Sequence, residues 1–200
     1  MTGETIVFVI LPYVSLTVLV AGLIWRRRND RYGWNARSTQ LLEGKVQRYS
    51  SVIFHLGVLA AIGGHVLGIL IPASWTSFFG GTDGMYHVVA VIGGVSAGLA
   101  VIVGFAMLVY RRIKFPRVRA TTTRMDVAVF ALLAFGIVTG FLATVTNFGD
   151  AVHYRETVAP YFRQIFLLNP DPSLMTEGQV TLIFQIHVVG VWFLYMLWPF

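Results

Sequence analysis

The sequence predicts an all-α, polytopic membrane protein of five spanning helices, and three observations lead to that reading. The 200 residues are 56% hydrophobic and only 12% charged, with a mean hydropathy of +0.71, a balance foreign to soluble domains. Apolar windows of about 20 residues, the length a helix needs to cross a core about 30 Å thick, follow one another along the chain. The charged residues fall between or at the edges of these windows. The spans are placed at residues 5–25, 51–71, 86–110, 127–147 and 180–200, so that residues 1–200 form one five-helix membrane domain.

The first span, Thr5 to Trp25, is a retained helix and not a cleaved signal peptide. Its basic cluster follows the apolar run, and no small-residue cleavage site is present. The second, Ser51 to Ile71, carries "FHLGVLAAIGGHVLGIL", an apolar run interrupted by His55 and His65. The third, Tyr86 to Tyr110, contains Gly94 and Gly98, and the fourth, Val127 to Asn147, contains Gly136 and Gly140. Each pair is a small-xxx-small spacing that lets helix backbones approach closely. The fifth, Val180 to Phe200, carries His187.

Loop charge sets an orientation. Between spans one and two lie Arg26, Arg27, Arg28, Arg31, Arg37, Lys45 and Arg48, and between three and four lie Arg111, Arg112, Lys114, Arg117, Arg119 and Arg124. The loop from Pro72 to Met85 has no Lys or Arg, and that from Phe148 to Gln179 has only Arg155 and Arg163, against Asp150, Glu156, Asp171 and Glu177. By the positive-inside rule the basic loops are cytoplasmic, which puts the N-terminus outside and the end of span five inside a cell membrane. Topology thus accounts for the net charge of +6 without nucleic acid, and the same basic loops suit an acidic partner surface. Arg111 and Arg112 are further candidates for contacts to haem propionates or a partner, beside their ordinary snorkelling role.

An imidazole within hydrocarbon must satisfy both ring nitrogens or carry a cost of several kcal/mol, roughly. His65 lies roughly 9 Å below the outer boundary and His187 roughly 10 Å below it, at about 1.5 Å per residue. Two imidazoles on facing helices at one depth suit a haem iron held between them. Gly63, Gly64 and Gly68 surround His65, and Gly190 lies one turn past His187, leaving clearance for a macrocycle. His55 is about 15 Å deeper than His65 and about 80° round the helix, placed to ligate a second haem stacked beneath the first. The alternative is that these histidines bond helices together or relay protons. The chain has no cysteine, which excludes thiolate iron–sulfur ligation. All nine acidic residues lie outside the spans or at their edges, which argues against a proton or ion transporter, the rival reading from another class.

No histidine in residues 1–200 reaches the level of His55 from a facing helix, and the nearest alternative ligand there is Met196. The terminal "LYMLWPF" also lacks the basic anchor expected on a cytoplasmic end, so the natural chain is expected to continue past Phe200.

Four stretches carry a resemblance that covers nearly the whole chain: "LPYVS", "FHLGVLAAIGGH", "FPRVRATTTRMD" and "IFQIHVVGVWFLYMLWPF". The chain resembles the γ subunit of respiratory nitrate reductase, a dihaem cytochrome b that anchors that enzyme in the membrane. The resemblance implies two b-type haems. His65 and His187 would hold the outer, distal one. His55 would hold the inner, proximal one together with a histidine some eighteen residues past His187. It also implies a quinol site beside the distal haem, for menaquinol or ubiquinol, and electron transfer to an iron–sulfur β subunit and then a molybdenum α subunit. Where the enterobacterial form has a lysine near the start of helix three, this chain has "GMYH", so Tyr86 and His87 are the candidates for handling the quinol protons. For His87 the plain alternative is a solvent-facing residue at a helix start. A quinol-linked cytochrome b of a sulfite or heterodisulfide reductase complex is the nearer rival reading.

Overall fold

The computed structural model describes residues 2–30, 32, 39–78, 80–149, 152–177 and 180–200, and contains no strand among them. Arg31, Arg37, Asp150 and Gln179, used above in placing the loops, lie outside the described residues.

Helix α1 spans Gly3–Asn29 and begins at Thr2, whose hydroxyl accepts the Thr5 N–H. A π-helical stretch over Ile6–Ile10 precedes Pro12. Proline has no N–H to give the Phe8 carbonyl four residues back, and the Tyr161 hydroxyl donates to that carbonyl at 2.8 Å. Helix α2, Lys45–Leu70, starts on the Glu43 carboxylate, which accepts the N–H groups of Val46 and Gln47. It ends in a π-helical stretch over Val66–Leu70, ahead of Pro72.

After the short α3, Ala73–Phe78, comes α4, Asp83–Lys114, capped by the Thr82 hydroxyl and closed at Phe115 before Pro116. One turn, α5 (Pro116–Arg119), leads to α6, Arg124–Thr146. The "TTTRMD" stretch supplies its start as a reciprocal capping box: the Thr123 hydroxyl accepts the Asp126 N–H while the Asp126 carboxylate accepts the Thr123 N–H. Helices α7 (Val158–Phe166) and α8 (Ser173–Thr176) lie in the long loop, and α9 covers Leu182–Leu197.

Four helices, α1, α2, α4 and α6, are long and apolar enough to cross a membrane, and the protein is a multi-pass membrane protein. The fifth expected span differs. Helix α9 has 16 residues, about 24 Å of rise, because Val180 and Thr181 belong to the preceding loop and Pro199 follows its end. The other four outrun their apolar windows at one or both ends, by the length of their caps and basic last turns.

The helices pack in one arc, α1 on α9, α9 on α6, α6 on α4 and α4 on α2. The α2–α4 seam rests on glycine. A Cβ on Gly104 would stand 2.5 Å from the Phe54 nitrogen, and one on Gly57 would stand 2.8 Å from the Val101 nitrogen. Gly94 and Gly98 admit Thr144 and Phe141 of α6 in the same way. Helix α7 caps one end of the arc, its apolar face joining Phe8, Val188 and Trp192 in the main buried cluster. Burial pushes the Tyr161 phenol above its ordinary range. At that same end Arg163 donates to the Ile69 carbonyl at 2.8 Å, serving a carbonyl that the end of α2 would otherwise leave orphaned.

At the opposite end Arg111, only 4% exposed, donates to the Glu43 carboxylate at 2.8 Å, to the Thr39 hydroxyl and to the Thr39 and Glu43 carbonyls. Burial opposes ionisation of Glu43, but the Val46 N–H, the Arg111 guanidinium and the Gln47 N–H outweigh it and hold the carboxyl below its ordinary value.

Gly104→Ala should destabilise the purified protein by about 1–3 kcal/mol or more, read as a lowered thermal midpoint, because the new methyl group meets backbone that cannot step aside. Glu43→Gln should also lower the midpoint at pH 7. A depressed carboxyl contributes its stability above the ordinary value of 4.5 and loses it as pH falls through the lower native value. The difference from wild type should therefore shrink as pH is taken below 4.5.

Candidate functional site

His65 on α2 and His187 on α9 meet across the arc, with ring centroids 6.3 Å apart and planes inclined by 39°. The two helices do not pack extensively on each other, so their side chains bridge a gap between backbones. Hydrogen bonding settles which ring nitrogen carries the proton. His65 Nδ1 lies 2.7 Å from the Ala61 carbonyl, which can only accept, so Nδ1 donates and the lone pair is on Nε2. His55 does the same toward the Ser51 carbonyl at 2.6 Å. For His187 the partner is the Thr139 hydroxyl at 3.1 Å. That hydroxyl gives its own proton to the Phe135 carbonyl at 2.7 Å, so it accepts from His187 Nδ1.

All three histidines are thus held as the tautomer a metal ligand requires, with the second nitrogen fixed by a local acceptor. The spacing of one pair suits a single ion between them. Two metal–nitrogen bonds of about 2.0–2.1 Å and two ring radii of about 1.1 Å put centroids about 6.3 Å apart. Gly140 completes the cradle, since a Cβ there would stand 2.8 Å from His187 Cε1 and 3.4 Å from Nε2. Beside His65, a Cβ on Gly63 or Gly64 would meet nothing within 4 Å, which leaves room for a flat group. These residues fit a prosthetic group with two opposed imidazole ligands. No cluster of three or more His, Cys, Asp or Glu able to hold a bare metal ion occurs among the described residues.

The remaining sequence candidates are placed as follows. Gly68 is buried against the rings of Tyr86 and Tyr154. Tyr86 lies under the Arg155 guanidinium, 4.0 Å from ring centroid to Cζ, and His87 donates from Nε2 to the Phe148 carbonyl at 3.1 Å. Arg111 is taken up with Glu43 and Thr39. Arg112 pairs with Asp126 at 3.4 Å, donates to Thr122 and stands over the Phe130 ring. Gly190 receives the Phe135 ring, and Gly136 has open space beside it.

The sequence reading missed Thr139 and took Gly140 only for helix packing. Their signal was a hydroxyl and a glycine side by side in the middle of an apolar span, level with His187.

A helical, multi-pass membrane protein with histidines of two helices facing each other is the class this fold and site define. The chain belongs to the nitrate reductase gamma subunit family, whose model matches residues 4–200. It is 41% identical over 201 residues to the nitrate reductase gamma chain of Bacillus subtilis strain 168, covering 100% of this chain and 89% of that one. It is 30% identical over 195 residues to the respiratory nitrate reductase 1 gamma chain of Escherichia coli K12, covering 96% and 85%. A third relative, the nitrate reductase-like protein NarX of Mycobacterium tuberculosis H37Rv, is 41% identical over 203 residues, and this chain spans 31% of its length. Family membership makes the chain a membrane subunit of an oxidoreductase complex that works with other nitrate reductase subunits.

Proposed function

We propose that this chain is the dihaem cytochrome b subunit that anchors a respiratory nitrate reductase, oxidises quinol near the outer membrane face and delivers electrons to a cytoplasmic iron–sulfur subunit. The observation that carries the reading is the pair His65 and His187, 6.3 Å apart, each with Nδ1 committed to a neighbour and Nε2 bearing the lone pair. In this reading the chain crosses the membrane five times, with α9 as the last crossing, the α7 end outside and the Arg111 end facing the iron–sulfur and molybdenum partners. The loop charges support that orientation.

His65 and His187 would hold the iron of the outer haem, and His55, through the Nε2 freed by its bond to Ser51, the iron of the inner one. Bound haems supply one-electron carriers in series across the bilayer. The protein's own contribution is positioning. Thr139 and Gly140 fix the rotation of the His187 ring, while the Ala61 carbonyl fixes that of His65. Tyr86 and His87, at the outer end of α4, would receive the two protons a quinol gives up. His87 is held there by its Nε2, which donates to the Phe148 carbonyl at 3.1 Å. Protons released outside and electrons delivered inside separate charge without a proton path through the bundle.

Haem content of the purified chain, measured by pyridine haemochrome and optical redox titration, tests this directly. His65→Ala and His187→Ala should each remove the same spectroscopic component and leave the other at least partly bound. Loss of different components from the two variants, or a wild type without haem, would sink the proposal. His87→Phe should slow quinol turnover between pH 6 and 8 with both haems retained, and unchanged turnover would return His87 to a plain surface role.

A further inference from the structure

Three side chains outside the histidine pair converge on the same end of α2. Gly68 lies one turn beyond His65, and a point beside it is within 3.6 Å of both the Tyr86 and the Tyr154 hydroxyls. The two phenol rings lie 6.2 Å apart, tilted by 38°. Arg155 closes the cluster from the loop. Its guanidinium covers the Tyr86 ring, donates to Asp83 at 2.9 Å and to the Thr76 hydroxyl, and its side chain is 12% exposed. One arginine therefore joins α3, the start of α4 and the segment carrying Tyr154.

We infer that Tyr154 is a second direct hydrogen-bond partner of the quinol head group, beside Tyr86, and that Arg155 is the positioning residue for the pair. The inference rests on the proposed quinol oxidation and extends it to residues in the long loop. A phenol both accepts and donates, so it can take a hydrogen bond from a quinol hydroxyl and give one to the carbonyl of the quinone product. The two hydroxyls stand together at Gly68, one turn from His65. Arg155 suits positioning because its planar fork stacks on the Tyr86 ring while pairing with a carboxylate, a geometry an ammonium does not reproduce.

The test uses the intact complex with its partner subunits, with menadiol as electron donor and haem content measured on every sample. Tyr154→Phe should raise KM for menadiol roughly tenfold with kcat within about twofold, the signature of lost uniform binding. Arg155→Ala should raise KM and lower kcat together, and Arg155→Lys should keep the haems without recovering KM. Wild-type KM for Tyr154→Phe and Arg155→Lys in haem-replete complex would overturn the inference alone, leaving quinol oxidation in place. Loss of the outer haem from Tyr154→Phe would also overturn it, since the phenol would then belong to the scaffold. A wild-type complex without haem would overturn the proposed function and this inference together.

Discussion

The backbone contact between α2 and α4 is the constraint on which the rest of the molecule hangs. Helix α2 carries His55 and His65, yet it is not sandwiched in the bundle: its one extensive helix partner is α4. A helix held on one side needs a close and stiff seam, and glycine supplies it at Gly57 and Gly104, where neither position has room for a methyl group. Without a hydrophobic drive between helices in lipid, close van der Waals approach has to carry the association. The seam leaves the histidine face of α2 free of helix packing, and a Cβ on Gly63 or Gly64 would meet nothing within 4 Å.

His55, His65 and His187 carry the same device. An imidazole with both nitrogens open is a liability in hydrocarbon, and here one nitrogen is always satisfied locally, by the carbonyl four residues back for His55 and His65 and by a neighbouring helix's threonine for His187. The difference follows from the neighbours. His187 packs on α6, where Gly140 lets the ring lie against the helix and Thr139 relays the bond to the Phe135 carbonyl. Rotation and tautomer are thereby set by the protein's own groups.

Much of this was legible in the residues. Spans one to four follow from apolar length, and the facing of His65 and His187 follows from counting about 1.5 Å per residue from a common boundary. Gly94 and Gly98 were legible as a packing pair. Gly57 and Gly104 were not, because they sit on different helices and no spacing rule within one helix links them. The shortness of α9 was hidden for a related reason: Val180 and Thr181 are apolar enough to join the span by composition, while Gln185 donates to the Met175 and Val180 carbonyls and ties that stretch to the loop. Helix α7 escaped notice since its apolar spacing, Val158, Tyr161, Phe162 and Ile165, is only nine residues of amphipathic pattern within a polar loop.

The two ends of the bundle are closed by arginines used in different ways, and the difference matches what each end must do. At the end where α2 begins, Arg111 has almost no exposure and spends its donors on one loop segment, so that the same carboxylate starts α2 and neutralises the last turn of α4. That is a rigid joint, fixing the start of α2 on the end of α4. At the other end, Arg163 serves one carbonyl of α2, and Arg155 binds an exposed aspartate and an aromatic face on α4 and a hydroxyl on α3. Bonds to an exposed partner contribute little to stability, so such a joint holds a shape without locking it. The rigid joint keeps α2 in register with α4, and under the proposed quinol oxidation the looser one would let a bulky quinol reach the phenols beside Gly68 and leave as product.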